Sequence, residues 1–399
     1  MAPKFPERVE QRNLRLWRIG LVLPLTFAAA LTIAATVFYL GWHLLGTRSL
    51  KHETQLDSKT LFDLVKLSFG VVAGAGALVA LVVAYRKQRV DENGALREAT
   101  RLHTERFTAA VAQLGDPAPA IRLGGVHALA GLADDAPTRA LRQTCIDVLC
   151  AYLRLPYTAE ADLPADDAEA RHSHLALREV RHTTIRLISE HLRLDTTHPH
   201  SWQGHDFDFT AAVFDGGDFS GAIFSGGRVS FHESTFSGGM VDFGKATFSG
   251  STVDFGKATF SGGTVNFYGA MFSSKVTFSN GRFVGMVSFD DATFSGATVN
   301  FGAATFSGDD VSFTAATFSG GTVNFIAATF SSGTVGFNGA TFSSGIVDFH
   351  WATFSGGTIG FIAATFSGGT VNLRNTVGLQ PEDVIPAGSP VPPGVRLPA

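Results

Sequence analysis

Two long stretches near the N-terminus contain only uncharged and mostly apolar residues. They cover residues 19–42 and 67–85, and each is long enough for a helix to cross a hydrocarbon layer of about 30 Å. A cleaved signal peptide is the alternative for the first stretch, but its apolar core would have only about 7–15 residues. Aromatic residues stand near the ends of both stretches, where membrane proteins place them: Trp17, Tyr39, Trp42 and Tyr85. The pattern therefore predicts two transmembrane α-helices.

Basic residues beside the two predicted spans indicate their orientation, because Lys and Arg resist translocation. The tail of residues 1–18 has five Lys and Arg, the connection of residues 43–66 has four, and the flank of residues 86–101 has five. This bias predicts a multi-pass protein of the cell membrane with both termini in the cytoplasm and a short outside loop. Gly70 and Gly74 have the small-xxx-small spacing of a helix contact, with the first span or with another copy of the chain. The ordinary glycine content of a membrane helix explains them equally well.

Residues 86–199 have the periodicity of amphipathic helices separated by helix breakers. One helix is predicted over residues 97–114, and Pro117 and Pro119 separate it from a second. The apolar residues of that second helix fall on one face: Ile121, Gly125, Leu129 and Leu132. Pro137 opens a third helix, and a fourth lies within residues 168–194. Since the segment RLGGVHALAGLAD resembles one HEAT-like or armadillo-like unit, this region is predicted to be a small all-α adaptor.

The cysteines and histidines of this region are the candidate metal ligands. Cys145 and Cys150 lie on one predicted helix, roughly 140° apart around its axis, so they cannot bridge each other. We expect reduced, half-buried thiols. The histidines have no carboxylate or thiol at a fixed spacing: His172, His174, His182, His191, His198, His200 and His205. A metal site needs both ligand number and geometry, so we expect exposed and linker histidines, no metal and no cofactor.

A repeat begins at residue 207. Phe209, Phe214, Phe219 and Phe224 are five residues apart, and the segments AVFDG, GDFSG and AIFSG place a small residue two positions before Phe. This pattern resembles the pentapeptide-repeat family, in particular its membrane-anchored actinobacterial members. The resemblance implies a right-handed, four-sided β-helix with the small residue and the Phe directed inward.

Beyond Phe224 the phenylalanines alternate at spacings of seven and five residues, with one irregular patch between Phe272 and Phe289, until Phe366. This twelve-residue period predicts a solenoid over residues 200–376. A coil of twelve residues has no room for two Phe rings with Val and Ala, because protein interiors have a fixed packing density. A coil of twenty-four residues, with sides that alternate between five and seven residues, has that room.

Alternation along each strand predicts which side chains face inward. Phe325 and Phe330 are predicted to stack on the equivalent rings of the neighbouring coils, while Asn324 and Thr329, one residue before each ring, point outward. Ser-Gly-Gly tracts are predicted at the corners, where positive φ is required. Residues 377–399 contain six prolines and are predicted to be a flexible tail.

The sequence contains no phosphate-binding loop, nucleophile motif, paired carboxylates or cofactor fingerprint. We therefore expect no enzyme and no catalytic residues. A membrane-tethered scaffold or protein-interaction module is the first functional hypothesis, because solenoids offer extended surfaces; its protein partner is unknown.

Two alternatives belong to other classes. Some members of the pentapeptide-repeat family, which this sequence resembles, are DNA mimics that bind topoisomerase. However, residues 201–376 carry twelve Asp and Glu against six Lys and Arg, a net charge of −6, where duplex DNA of similar length carries about twenty charges. The other alternative is a membrane-linked regulator or sensor, for which the sequence offers no ligand site. The whole chain has a formal net charge of −4, and we expect no nucleic-acid partner.

Overall fold

The computed structural model describes residues 58–158, 160, 163, 166–250, 252–308, 310–356, 358–378, 391 and 394–397, together with eight residues between 27 and 43. The chain forms two compact units, Met1–Ala99 and Thr100–Ala399. The described part of the first unit is helical. The second unit contains a group of helices followed by a β-solenoid.

The predicted span at residues 67–85 lies within helix α1, Ser58–Leu114. In the described part of the chain, α1 is the one helix that is long and apolar enough to cross a membrane. The helix predicted over residues 97–114 is the last part of α1, which is continuous with the apolar segment because residues 86–96 contain no proline and an isolated Gly94 costs a helix only about 1 kcal/mol. The predicted span at residues 19–42 lies outside the described residues, except for isolated positions between 27 and 40 that are helical.

Three shorter helices follow α1: α2 Pro119–Asp134, α3 Arg139–Leu153 and α4 Ala168–Arg193. Proline stands in the first turn of α2, the Thr138 hydroxyl accepts from the Leu141 N–H at the start of α3, and Asp167 accepts from the Ala170 N–H at the start of α4. These are common helix starts. We call α2, α3 and α4, with residues 100–114 of α1, the helical cap.

The close approach of α1 and α2 depends on Gly125. A Cβ at this position would lie 2.6 Å from the Leu114 nitrogen and 2.9 Å from the Ala110 oxygen, so a larger residue would push the two helices apart. Leu129 and Leu132 are buried on the same side, as predicted. Ile121 was predicted to share this face but is 44% exposed, because it lies in the first turn of α2, before the residues that meet the core.

The solenoid consists of short strands numbered β1 to β28. They are Phe207–Asp208, Val213–Phe214, Gly217–Asp218, Ile223–Phe224, Arg228–Ser230, Thr235–Phe236, Met240–Asp242, Thr247–Phe248, Thr252–Asp254, Thr259–Phe260, Thr264–Asn266, Met271–Phe272, Val276–Thr277, Arg282–Phe283, Met286–Ser288, Thr293–Phe294, Thr298–Asn300, Thr305–Phe306, Val311–Ser312, Thr317–Asn324, Thr329–Phe330, Thr334–Gly336, Thr341–Asp348, Thr353–Phe354, Thr358–Gly360, Thr365–Phe366, Thr370–Asn372 and Val395–Arg396.

These strands stack in parallel to form a right-handed solenoid of about seven coils. Through most of its length the paired residues are twenty-four apart, as for Val299 with Val323 and Phe306 with Phe330. The predicted coil length is therefore confirmed. Each coil supplies strands to four ladders, two of which join into one sheet through the longer strands β20 and β23. The irregular Phe spacing appears as shorter coils, with Met271 paired to Thr293.

Stacked phenylalanine rings fill the interior. Phe325 lies between Phe301 and Phe349, with ring centroids 4.8 and 4.7 Å apart, and Phe330 lies between Phe306 and Phe354, at 4.7 and 4.6 Å. All the predicted ring neighbours are thus confirmed. The buried side chains of the cap and of the solenoid form one continuous core cluster.

Two kinds of corner turn the chain from strand to strand. Glycines of the Ser-Gly-Gly tracts have positive φ, as predicted, for example 76° at Gly321. At the other corners the left-handed residue is usually not glycine: Ala327 has φ 57°. This residue closes a turn in which the Ala328 N–H donates to the Phe325 carbonyl at 3.0 Å. The sequence prediction missed these corners, because alanine gives no local signal for a left-handed conformation.

The polar residue before the ring also has a role that alternation alone did not indicate. Asn324 is only partly exposed, and its Oδ1 accepts from the Ile326 N–H at 2.7 Å. Equivalent residues in other coils do the same, for example Asp254 with the Gly256 N–H at 2.7 Å. Asn and Asp commonly fix turns in this way. The description of Asn324 as a plain outward residue is therefore corrected.

The C-terminal residues were predicted to be a flexible tail. Val395 instead pairs with Val371 in parallel, twenty-four residues away, and Val395 and Leu397 pack against the core. These two apolar residues continue the spacing of Val371 and Leu373, which explains why the end of the chain joins the solenoid. Residues 379–390, the centre of the predicted tail, lie outside the described residues.

Candidate functional site

Among the described residues, buried charged side chains are concentrated at the junction between the helical cap and the first coil, including Arg181 and Asp215. Strand β1 contacts α3, while β3 and β4 contact α4. Asp215 occupies a place in the first coil where later coils have serine, such as Ser237 and Ser261. Because this coil meets helices instead of solvent, its sequence departs from the repeat.

Asp215 is held by three side chains, two from α4 and one, Tyr157, from the segment that joins α3 to α4. The Tyr157 hydroxyl donates to Oδ2 at 2.5 Å, His182 Nε2 lies 3.1 Å from Oδ1, and Arg178 Nε lies 3.0 Å from Oδ2. Burial raises the pKa of the Asp215 carboxyl, but hydrogen bonds from His182 and Tyr157 outweigh burial and hold that pKa at about 2. The carboxylate is therefore charged at neutral pH.

Arg181 joins the end of α3 to the first coil. Its guanidinium donates to the carbonyls of Leu153 at 2.9 Å and Val213 at 2.5 Å, and its central carbon lies 4.2 Å from the centre of the Tyr157 ring. Burial lowers the pKa of Arg181, while electrostatic interactions with Tyr157 and Asp215 oppose that shift. Through these contacts, Arg181 connects the helical cap to the solenoid.

A second polar cluster fixes the loop between α4 and β1. His191 Nε2 lies 3.0 Å from Oδ2 of Asp134, and the Trp202 indole N–H donates to Oδ1 at 3.0 Å. The His191 and Trp202 rings stack with centroids 4.0 Å apart. Burial lowers the pKa of His191, but the hydrogen bond to Asp134 prevails and raises it above its ordinary value. Since Trp202 is fully buried, this cluster anchors the loop.

The prediction of exposed histidines is wrong for this junction. His174 and His205 are buried, and His182 and His191 contact carboxylates of other elements. Their partners lie tens of residues away in the sequence, which is why spacing gave no signal. In the described part of the chain, no group of three or more His, Cys, Asp or Glu is arranged to hold a metal.

Both cysteines are free, and both are fully buried instead of half-buried. Cys145 Sγ lies 3.9 Å from His103 Nε2, yet burial raises the pKa of its thiol to about 11. Burial also raises the pKa of Cys150. Neither thiol is a reactive nucleophile at neutral pH, because the thiolate is the reactive form.

The outer surface of the solenoid carries exposed apolar side chains in more than one ladder, with Met240 and Met286 on either side of Thr264 in one sheet and Met271 in another. Three of the four methionines replace threonine there, Met240, Met271 and Met286, and each is about half exposed. Further exposed apolar residues lie towards the C-terminal end and include Trp351, which is 62% exposed, and Val377. Exposed Trp and Met side chains are frequent at protein interfaces.

None of the residues that join the cap to the solenoid was predicted from the sequence to be functional. The available signal was Asp215, because it stands at a position that is serine in most later coils. Comparison of the chain with protein-family models, with curated proteins and with solved structures finds no match. The parallel β-solenoid of about 24 residues per coil with Thr-rich strands is consistent with a pentapeptide-repeat-like fold.

Proposed function

We propose that this chain is an integral membrane protein whose β-solenoid is a binding scaffold for a protein partner. The observation that carries this proposal is the extent of α1. One uninterrupted helix, Ser58–Leu114, contains the apolar segment of residues 67–85, and its last residues, including Ala110 and Leu114, belong to the core of the cap. A chain of this kind would attach its solenoid directly to the membrane.

The membrane part of the proposal has two spans, residues 19–42 and 67–85, with both termini in the cytoplasm. Among the described residues, no side chain or distant backbone lies within 4 Å of where a Cβ of Gly70 or Gly74 would stand. We propose that this face of α1 packs against another helix, from the first span or from a second copy. The four ladders are proposed to form four sides, because Phe313 and Phe325 from different ladders meet at 86°.

Binding is proposed to use the outer surface of the solenoid, where the exposed apolar residues interrupt a regular threonine surface. A DNA mimic is disfavoured by charge. Residues 201–376 have a net charge of −6, and several of their carboxylates, such as Asp242 and Asp348, accept backbone N–H groups at turns. Among the described residues, we find no arrangement that favours a sensor over a scaffold.

The proposal is tested by site-specific photo-crosslinking in intact cells. A crosslinking phenylalanine analogue replaces Trp351 or Met286, and the matched control is Ala315, which is exposed and has φ 56° at a corner, as Trp351 has φ 57°. Discrete crosslinks to the same membrane-associated protein from Trp351 or Met286, but not from Ala315, are expected. Crosslinks that are absent or equal at all three positions would contradict the scaffold function, and extraction of the chain by carbonate would contradict the anchor.

A further inference from the structure

A polar cleft of about 310 Å³ lies between the first turn of α3 and the loop that follows α4. Its lining, all in the described part of the chain, includes Arg139, Arg142, His198 and His205 but no Asp or Glu. Hydroxyl and amide groups complete it, among them those of Ser201 and Gln203. The cleft is therefore rich in hydrogen-bond donors and contains no carboxylate.

The start of α3 adds donors to this cleft. Pro137, Thr138 and Arg139 line it, so the N-terminus of a helix of fifteen residues faces the cleft. Thr138 satisfies the Leu141 N–H, but the preceding N–H groups of a helix have no intrahelical acceptor. Such an end attracts anions through these groups and through the helix dipole.

The two arginines are held in place by backbone carbonyls. Arg142 donates to the carbonyls of Ala133 at 2.7 Å and Pro199 at 2.8 Å, and Arg139 donates to the Gly204 carbonyl. A guanidinium has five N–H groups, so Arg139 keeps most of its donors for another acceptor. Because these side chains are already fixed, binding of a ligand would cost less conformational entropy.

His205 supplies an independent indication of a ligand. It lines the cleft although it is only 3% exposed, and its Nδ1 lies 2.9 Å from Oε1 of Gln143, which also accepts the Asp206 N–H at 3.0 Å. Because this oxygen can only accept, Nδ1 carries the proton and Nε2 has a free lone pair. Among the described residues, Nε2 has no hydrogen-bond partner.

The charge state of His205 follows from its surroundings. Burial lowers the pKa of its imidazole, and the nearby charges of Arg139 and Arg142 lower it further against the opposing carboxylate of Asp206, to about 4. The ring is therefore neutral at pH 7, and Nε2 is an acceptor. The cleft thus combines several donors with one acceptor, Nε2 of a largely buried histidine.

We propose that this cleft binds a phosphoryl group that carries one proton, such as hydrogen phosphate or a phosphate monoester. Its unprotonated oxygens would accept from Arg139 and from the N–H groups at the start of α3, and its P–OH would donate to Nε2 of His205. The fully deprotonated sulfate ion has the same shape but no proton to donate, so the site should prefer phosphate to sulfate. This inference stands independently of the scaffold function.

The test uses the full chain in a phosphate-free maltoside detergent and equilibrium dialysis with radiolabelled inorganic phosphate. We expect saturable binding of one phosphate per chain, with sulfate competing about tenfold less well or worse. Arg139→Gln should weaken phosphate binding by about tenfold or more. His205→Asn, which keeps an N–H donor towards Gln143 but lacks Nε2, should remove the preference over sulfate.

Arg154→Gln is the matched control, because Arg154 lies just after the other end of α3 and pairs with Asp208 outside the cleft. Thermal unfolding of each variant confirms that it is folded. Equal losses in the Arg139 and Arg154 variants, no saturable phosphate binding, or equal binding of sulfate would overturn the proposal. Competition by a soluble short-chain phosphatidic acid would assign the site to a lipid headgroup, and competition by soluble phosphate monoesters alone would assign it to a free metabolite; either result supports a phosphoryl site.

Discussion

Phe325 and Phe349, one coil apart, stack with ring centroids 4.7 Å apart and planes only 2° from parallel. Both rings are fully buried. Rings of other ladders meet them edge to face, as for Phe337 and Phe349 at 89°. Offset and edge-to-face contacts are the favourable arrangements of aromatic rings, so the interior is a regular aromatic column in which every ring depends on its neighbours.

Removal of one ring should therefore cost much more than removal of its polar neighbour. Phe325→Ala leaves a cavity and should lower the free energy of unfolding by about 3–5 kcal/mol. Asn324→Ala should cost about 1 kcal/mol, because it removes the acceptor of the Ile326 N–H. Thr329→Ala, at a partly exposed position with no turn to fix, should cost about 0.5 kcal/mol or less. Chemical denaturation measures all three, and equal effects at Phe325 and Asn324 would refute the register.

The left-handed corner at Ala327 gives a second test. Its φ of 57° is costly for a residue with a Cβ. Ala327→Gly should therefore change the unfolding free energy little or raise it by up to about 1 kcal/mol, and Ala327→Val should lower it by more than about 1 kcal/mol. Thermal unfolding compares the two variants, and a Val variant as stable as the Gly variant would contradict the corner conformation.

Asp215 should make the junction sensitive to acid. Its pKa is about 2 in the folded chain against an ordinary value of 3.8, so its contribution is complete above pH 4 and is lost as pH falls towards 2. The size of this contribution is about 2 kcal/mol. Asp215→Asn should lower stability at pH 7 and flatten the curve of unfolding free energy between pH 4 and 2. Parallel curves for the variant and the original chain would exclude this role.

The proposed membrane topology is tested by cysteine labelling of intact cells. Ser49→Cys, in the predicted outside loop, should react with an impermeant thiol reagent, while Ser389→Cys should not. The native Cys145 and Cys150 should give no background because they are buried. Labelling at residue 389 would overturn the orientation.

The cap should be necessary for the stability of the solenoid. A fragment of residues 100–399 keeps the whole second compact unit and should be soluble and unfold cooperatively. A fragment of residues 200–376 should keep a β-type circular dichroism spectrum, because its coils satisfy one another's backbone groups. It should melt at a lower temperature, since strands β1, β3 and β4 lose the helices that contact them. Equal melting temperatures would show that the cap contributes nothing.

Local repetition explains why much of the solenoid could be predicted. Phe325, Val323 and Ala328 each recur in the same place in most units, so their burial and the coil of twenty-four residues follow from spacing and volume alone. The corner at Ala327 and the turn fixed by Asn324 were not predicted, because alanine and asparagine occur in many conformations and the pairing of coils selects one.

By itself, the sequence determined the solenoid, its period, its inward residues and the apolar segments that are long enough for a membrane. Only the tertiary structure decided how the helices meet the first coil. Asp215 contacts Tyr157 across 58 residues, and Gly125 allows α2 to approach α1. Such contacts produce no periodic pattern in the sequence, because each is made only once. The distance between the elements that make them depends on the packing of the whole unit.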